Sequence, residues 1–111
     1  MFVDIPTPKF RYVYVIHNAE RNRSKIGMSY NPEERLRNLQ TGNDSDLTLT
    51  YQLGMDAVLA PKVEREARKI AENDLKKPRT REWLGRTSAA EAQQCVQQAY
   101  DRVRGRNYPK K

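Results

Sequence analysis

The chain has 111 residues and a net charge of +7, from 21 lysines and arginines against 14 aspartates and glutamates. This is the length of one domain, and no apolar run approaches the roughly 18 residues of a membrane-spanning helix. One cysteine and one histidine exclude an internal disulfide framework and a metal site built from several Cys or His ligands.

The positive charge lies in the second half of the chain. Residues 1–61 hold seven basic and seven acidic side chains, whereas residues 62–111 hold fourteen and seven. A short basic chain is a candidate for binding a polyanion, and nucleic acid is the usual one.

The N-terminus lacks a signal-peptide pattern, so we expect a cytoplasmic protein. Because phosphate-loop and nucleophile-elbow motifs are missing, any catalysis has to use carboxylates, tyrosines and cations.

The first predicted elements are two strands. Residues 1–9, with two prolines, are interpreted as an N-terminal arm. Aromatic and β-branched residues predict a strand at 10–17 with apolar groups on both faces, which is typical of a central strand. A second strand is predicted at 24–28. The polar connection between them indicates a β-hairpin.

A helix is predicted at 31–40, because Asn31 suits an N-cap and Glu34 follows it at capping-box spacing. The next segment, 47–53, alternates apolar and polar residues, which predicts a half-buried strand with its four large apolar side chains on one face. These side chains are Leu47, Leu49, Tyr51 and Leu53.

The second half is predicted to be helical, with a helix at 57–76, a basic loop at 77–86, a last helix at 88–104 and a basic tail at 105–111. The predicted order ββαβαα describes an α+β fold. A single domain at 10–104 would contain a small three-stranded antiparallel sheet flanked by helices.

Several segments, taken in order, resemble the GIY-YIG nuclease superfamily. Tyr12-Val13-Tyr14 stands at the GIY position and Lys25-Ile26-Gly27 at the YIG position. The segments KIGMSYNPEERLRNLQTGN, VEREARKIA and REWL resemble a short standalone branch found in phages and in a meiotically up-regulated gene domain. This branch carries KIG in place of YIG. The resemblance covers about residues 10–85.

The resemblance implies a catalytic set of Tyr14, Lys25, Arg35 and Glu64. Arg35 follows Gly27 at the spacing of the family's catalytic arginine, and Glu64 matches its metal-binding glutamate. Lys25 replaces the YIG tyrosine, and the family's late asparagine has no clear counterpart, although Glu82-Trp83 lies in that region.

The chemistry of these side chains suits phosphodiester hydrolysis. Mg²⁺ or Mn²⁺ needs only one or two carboxylates, and helical geometry places Glu64 at the edge of the inward face and Glu66 on the solvent side. A salt bridge from Glu64 to Arg68 is the alternative. Tyr14 would orient or deprotonate water with Lys25 as its neighbouring cation, or it is a core aromatic.

Tyr12, His17 and Tyr30 are weaker candidates for lining the same cleft, with packing or surface roles as their alternatives. A basic cluster in the predicted loop is interpreted as a nucleic-acid-binding surface, or as ordinary solvated charge. Its members are Lys76, Lys77, Arg79, Arg81 and Arg86.

These patterns predict a metal-dependent endonuclease that hydrolyses phosphodiester bonds, with DNA as the expected partner and no membrane association. The first alternative is a GIY-YIG-like fold without activity that binds nucleic acid. The second is an accessory protein that docks through its alanine-faced last helix. The oligomeric state stays open.

Overall fold

The computed structural model describes residues 10–107, which form a five-stranded antiparallel sheet with three helices. The predicted arm at 1–9 lies outside these residues. In the described part, no helix combines the length and the apolar character needed to cross a bilayer. In chain order the elements are β1 Phe10–Asn18, β2 Arg23–Ser29, α1 Pro32–Thr41, β3 Leu47–Asp56, α2 Leu59–Lys69, β4 Arg79–Thr80, β5 Trp83–Gly85 and α3 Ala89–Asn107.

The α+β class is confirmed, but the three-stranded sheet and the order ββαβαα are wrong. The predicted basic loop contains β4 and β5, so the order is ββαβαββα and the sheet runs β3-β1-β2-β5-β4. These strands have only two and three residues, too few to show alternation. Arg81, at their turn, has φ 57°, where a sequence-based search looks for Gly or Asn.

The central position predicted for the first strand is correct. β1 pairs with β2 on one side and β3 on the other. Val13 and Val15 pack in the core formed with α2 and α3, whereas Tyr14 and Ile16 pack on the opposite face with Leu36 of α1. The sheet is therefore covered by helices on both faces.

A β-bulge changes the faces of β3. The pairing with β1 shifts between Val15 and Ile16, so Tyr51 lies opposite Val15 while Leu49 lies opposite Ile16. Leu49 consequently packs on the α1 side and Tyr51 on the α2 and α3 side. The prediction that all four apolar residues share one face is wrong, because an extra residue in one strand inverts the alternation beyond it.

The N-termini of α1 and α3 follow the capping signals. Asn31 Oδ1 accepts the backbone N–H of Glu34 at 3.2 Å, as predicted for the cap of α1. At the start of α3, Ser88 and Glu91 form a reciprocal pair, with both hydrogen bonds at 3.0 Å. α3 continues to Asn107, so the first part of the predicted tail is helical, while residues 108–111 lie outside the described part.

The predicted helix at 57–76 is shorter and changes type. α2 ends at Lys69, and a π-helical turn, Ile70–Asp74, follows it. Its inner face, with Val63 and Ala67, packs on the sheet and on α3. The edge of α2 that carries Glu64 and Arg68 thereby lies beside β2.

Candidate functional site

A cleft lies beside an open edge of the sheet. β5 pairs only with residues 23–25 of β2, so the following part of β2 borders the cleft. The cleft has a volume of about 420 Å³ and is lined from β1, β2, α1, α2 and the β4–β5 turn. Its walls include all four residues of the predicted catalytic set: Tyr14, Lys25, Arg35 and Glu64.

Tyr14 is held at the cleft by a glycine on the neighbouring strand. Tyr14 and Gly27 are directly opposite in the β1–β2 pair, and Tyr14 is 1% exposed. A Cβ atom on Gly27 would lie 2.5 Å from Tyr14 Cζ and 3.0 Å from Cε1. Gly27, the glycine of the KIG segment, therefore provides the space in which the phenol ring lies.

The hydroxyl of Tyr14 faces a cation from α1. Burial raises the pKa of Tyr14 above its ordinary value, and this effect exceeds the opposing effect of a hydrogen bond and charge attraction from Arg35. The cation beside Tyr14 is thus Arg35, where the sequence predicts Lys25. Tyr14 is a neutral phenol at neutral pH.

Lys25 is a buried cation with an ion-pair partner. Its side chain is 2% exposed and pairs with Glu82, which lies in the turn between β4 and β5. Burial lowers the pKa of Lys25 against the opposing effect of Glu82, and the hydrogen bond from Lys25 lowers the pKa of Glu82. The short hairpin that the sequence analysis missed thus brings a second carboxylate to the cleft.

Glu64 enters the cleft from α2. Its Oε1 lies 2.9 Å from Arg68 Nη2, so the alternative salt bridge exists together with the cleft position. The same Arg68 nitrogen donates to the carbonyl of Ile26 at 3.1 Å, at the open edge of β2. Glu66 does not face solvent as expected, since it pairs with Arg102 and Arg106 of α3.

The three weaker candidates divide between the cleft and other contacts. Tyr30 lines the cleft, 48% exposed, with the Arg11 guanidinium 3.1 Å from its ring centre. Tyr12 packs over Gly54 of β3 instead. His17 contacts Ser24 Oγ at 2.8 Å through Nδ1, and Ser24 in turn donates to the Thr87 carbonyl, so this contact links β1 and β2 to the segment before α3.

The predicted nucleic-acid-binding cations are partly engaged within the chain. Lys77 pairs with Glu91 at 2.8 Å and donates to the carbonyl of Arg86, and Arg79 pairs with Glu72 at 3.1 Å. The side chains of Lys76, Arg81 and Arg86 are exposed. The binding surface therefore stays a prediction, with four of its five members exposed and one of these four, Arg79, held in an ion pair.

The cleft contains two carboxylates that could bind a hard cation such as Mg²⁺. Residues 10–107 contain no group of three or more His, Cys, Asp or Glu side chains placed to hold a metal. The cleft does hold Glu64 and Glu82, and Mg²⁺ commonly uses one or two carboxylates and keeps several waters. The donor set thus fits a largely hydrated ion.

Charged residues outside the predicted catalytic set also line the cleft, among them Arg68 and Glu82. The position of Glu82 depends on the β4–β5 hairpin, which the sequence does not predict. The sequence predicts Arg68 only as a salt-bridge partner of Glu64, because its hydrogen bond to the β2 edge follows from how α2 packs.

Comparison with known protein families finds one model, the T5orf172 domain, which matches residues 11–100. No match was found among curated proteins or among solved structures. The T5orf172 domain is phage-associated and nuclease-related, which supports the nuclease-like superfamily expected from the ordered motifs. The matched segment includes every residue that lines the cleft, and the chain belongs to the T5orf172 domain family.

Proposed function

We propose that this protein is a metal-dependent endonuclease of the GIY-YIG type, with the KIG variant of the motif, that hydrolyses phosphodiester bonds in DNA. The observation that carries the proposal is that four side chains from four elements line one cleft. They are Tyr14, Lys25, Arg35 and Glu64. Membership of a nuclease-related family supports it.

The cations of the cleft would bind the scissile phosphate. Arg35 presents a guanidinium fork that matches two phosphate oxygens, and it lies beside Tyr14 in the cleft. Lys25 contributes a buried positive charge. An entering phosphate would interact with this charge alongside the Glu82 carboxylate. Buried cations stabilise developing negative charge better than solvated ones, because little water screens them.

Tyr14 would position the attacking water. As a neutral phenol it both donates and accepts hydrogen bonds, so it holds a water molecule in a fixed orientation beside the phosphate. Its ring packs against Gly27 of the neighbouring strand, which keeps the hydroxyl within the cleft. The pKa of Tyr14 is raised, so its role at neutral pH is orientation, with little phenolate present.

Glu64 would hold Mg²⁺ or Mn²⁺, with Glu82 as the second carboxylate within the same cleft. When bound, such an ion neutralises phosphate charge and lowers the pKa of its water ligands. Glu64 keeps Arg68 at its Oε1, which fixes the direction of the carboxylate. The arrangement resembles the support that second-layer hydrogen bonds give to ligands in other metal sites.

The direct test is nicking of supercoiled plasmid DNA by the purified chain. We expect conversion to the open circular form with Mg²⁺ or Mn²⁺, and none after chelation with EDTA or with Ca²⁺ as the only divalent ion. If plasmid stays supercoiled with both metals across pH 7–9 and 20–150 mM salt, the enzyme proposal is rejected.

A nucleic-acid-binding protein without catalysis is the second candidate. It is favoured by the ion pairs that Lys25 and Glu64 already form with Glu82 and Arg68, because paired side chains are less available for chemistry. It predicts salt-sensitive DNA binding that ignores EDTA and survives Glu64→Ala. Docking through the alanine-rich face of α3 is not supported, because Ala92 and Ala99 are fully buried.

A further inference from the structure

A second hollow continues from the cleft along α2. It has a volume of about 290 Å³ and shares Met28, Glu64 and Arg68 with the cleft. We call it the α2 groove. The residues that α2 and the following turn contribute to it recur at helical spacing, from Pro61 to Glu72, so it follows one helix face for about 16 Å.

The acidic side chains of the α2 groove are neutralised within the chain. Glu64 pairs with Arg68 at 2.9 Å and Glu72 pairs with Arg79 at 3.1 Å. Two further cations line the groove, Arg65 and Lys69. Both are exposed, and within residues 10–107 neither forms an ion pair. The groove therefore carries a net positive charge of two.

The spacing of these two cations suits a phosphate backbone. Arg65 and Lys69 are four residues apart on one helix face, hence about 6 Å apart along its axis. Long, flexible side chains at this separation reach successive phosphates of one strand. The position of the groove next to Glu64 means that a strand lying in it enters the cleft directly.

We propose that the α2 groove binds the backbone of the DNA strand beside the scissile phosphate, with Arg65 and Lys69 as its phosphate contacts. This inference rests on the proposed function for its ligand, and it assigns binding to α2 in addition to the basic residues at 76–86. Phosphate contacts of this kind give affinity without reading sequence.

The test measures binding without cleavage. A fluorescent 20-base-pair duplex is titrated with protein in EDTA at 50–200 mM salt. Each phosphate contact to duplex DNA contributes about −0.9 to the slope of log K against log salt. The Arg65→Gln, Lys69→Gln double variant should flatten this slope by about 1.8 and lower affinity at 0.1 M salt by roughly tenfold or more. Glutamine keeps the helix propensity of both positions.

The matched control is Arg21→Gln, Arg37→Gln, which removes the same charge from two exposed arginines that line neither the cleft nor the α2 groove. We expect its slope to stay close to that of the wild type. Equal slopes for both double variants would overturn the inference, as would wild-type protein that does not bind the duplex. Since EDTA prevents cleavage, failure of the nuclease proposal alone would leave the predicted slope difference intact.

Discussion

Replacing Glu64 with glutamine is expected to lower the rate of DNA cleavage on the order of a thousandfold, with DNA binding changed only a few-fold. Glutamine keeps an oxygen that accepts from Arg68, whose nitrogen lies 2.9 Å from Glu64 Oε1, so the local packing is preserved. It removes the negative charge that would hold a divalent cation, and loss of one such electrostatic group costs roughly 10²–10³ in rate. Plasmid nicking and duplex binding measure the two effects.

Glu66→Gln is the control for this prediction. It removes the same charge from the same helix, but Glu66 pairs with Arg102 and Arg106 of α3, away from the cleft. Both arginine partners of Glu66 are exposed, and ion pairs with exposed partners contribute up to about 1 kcal/mol. We therefore expect a small loss of stability and normal cleavage. Equal cleavage by the wild type and Glu64→Gln would show that Glu64 has no catalytic role.

Gly27→Ala is expected to destabilise the fold by about 2–3 kcal/mol and to lower cleavage about a hundredfold. The added Cβ would lie 2.5 Å from Tyr14 Cζ, and Tyr14 is buried, so its ring must move. Such a movement separates the hydroxyl from Arg35. Urea unfolding gives the stability change, and nicking at a temperature where the variant stays folded gives the rate.

Gly42→Ala is the matched control, because a Cβ there meets no atom within 4 Å and its φ of −101° suits alanine. Its stability should stay within about 0.5 kcal/mol of the wild type. Combining Gly27→Ala with Tyr14→Phe removes the hydroxyl but keeps Cζ, which would lie 2.5 Å from the added Cβ. This double variant should therefore recover little of the stability and none of the cleavage. A Gly27→Ala variant as stable as the wild type would contradict the assigned contact.

The elements that carried strong local signals were predicted well. Asn31 and Glu34 marked the start of α1, and the apolar residues on both faces of β1 correctly indicated a central strand. These features depend on neighbours a few residues apart, which a sequence displays directly. The resemblance to the GIY-YIG motifs selected Arg35 and Glu64, and both line one cleft.

What escaped prediction depends on long-range packing. The bulge opposite Val15 and Ile16 has no local signature, yet it changes which face Leu49 and Tyr51 occupy. The β4–β5 hairpin exists because it pairs with β2, and its turn uses an arginine at positive φ. Glu82 therefore could not be assigned to Lys25 from the sequence, and the choice between Lys25 and Arg35 as the neighbour of Tyr14 required the packed structure.

The central claim is that one cleft hydrolyses DNA through Tyr14, Lys25, Arg35 and Glu64. It is tested most directly by single-turnover cleavage of a labelled duplex at saturating protein with Mg²⁺. Tyr14→Phe, Lys25→Ala, Arg35→Ala and Glu64→Gln should each slow cleavage by roughly a hundredfold or more, whereas the exposed neighbour variant Arg37→Ala should cleave at the wild-type rate. Wild-type protein that leaves the duplex intact, or cleft variants that cleave as fast as Arg37→Ala, would contradict the claim.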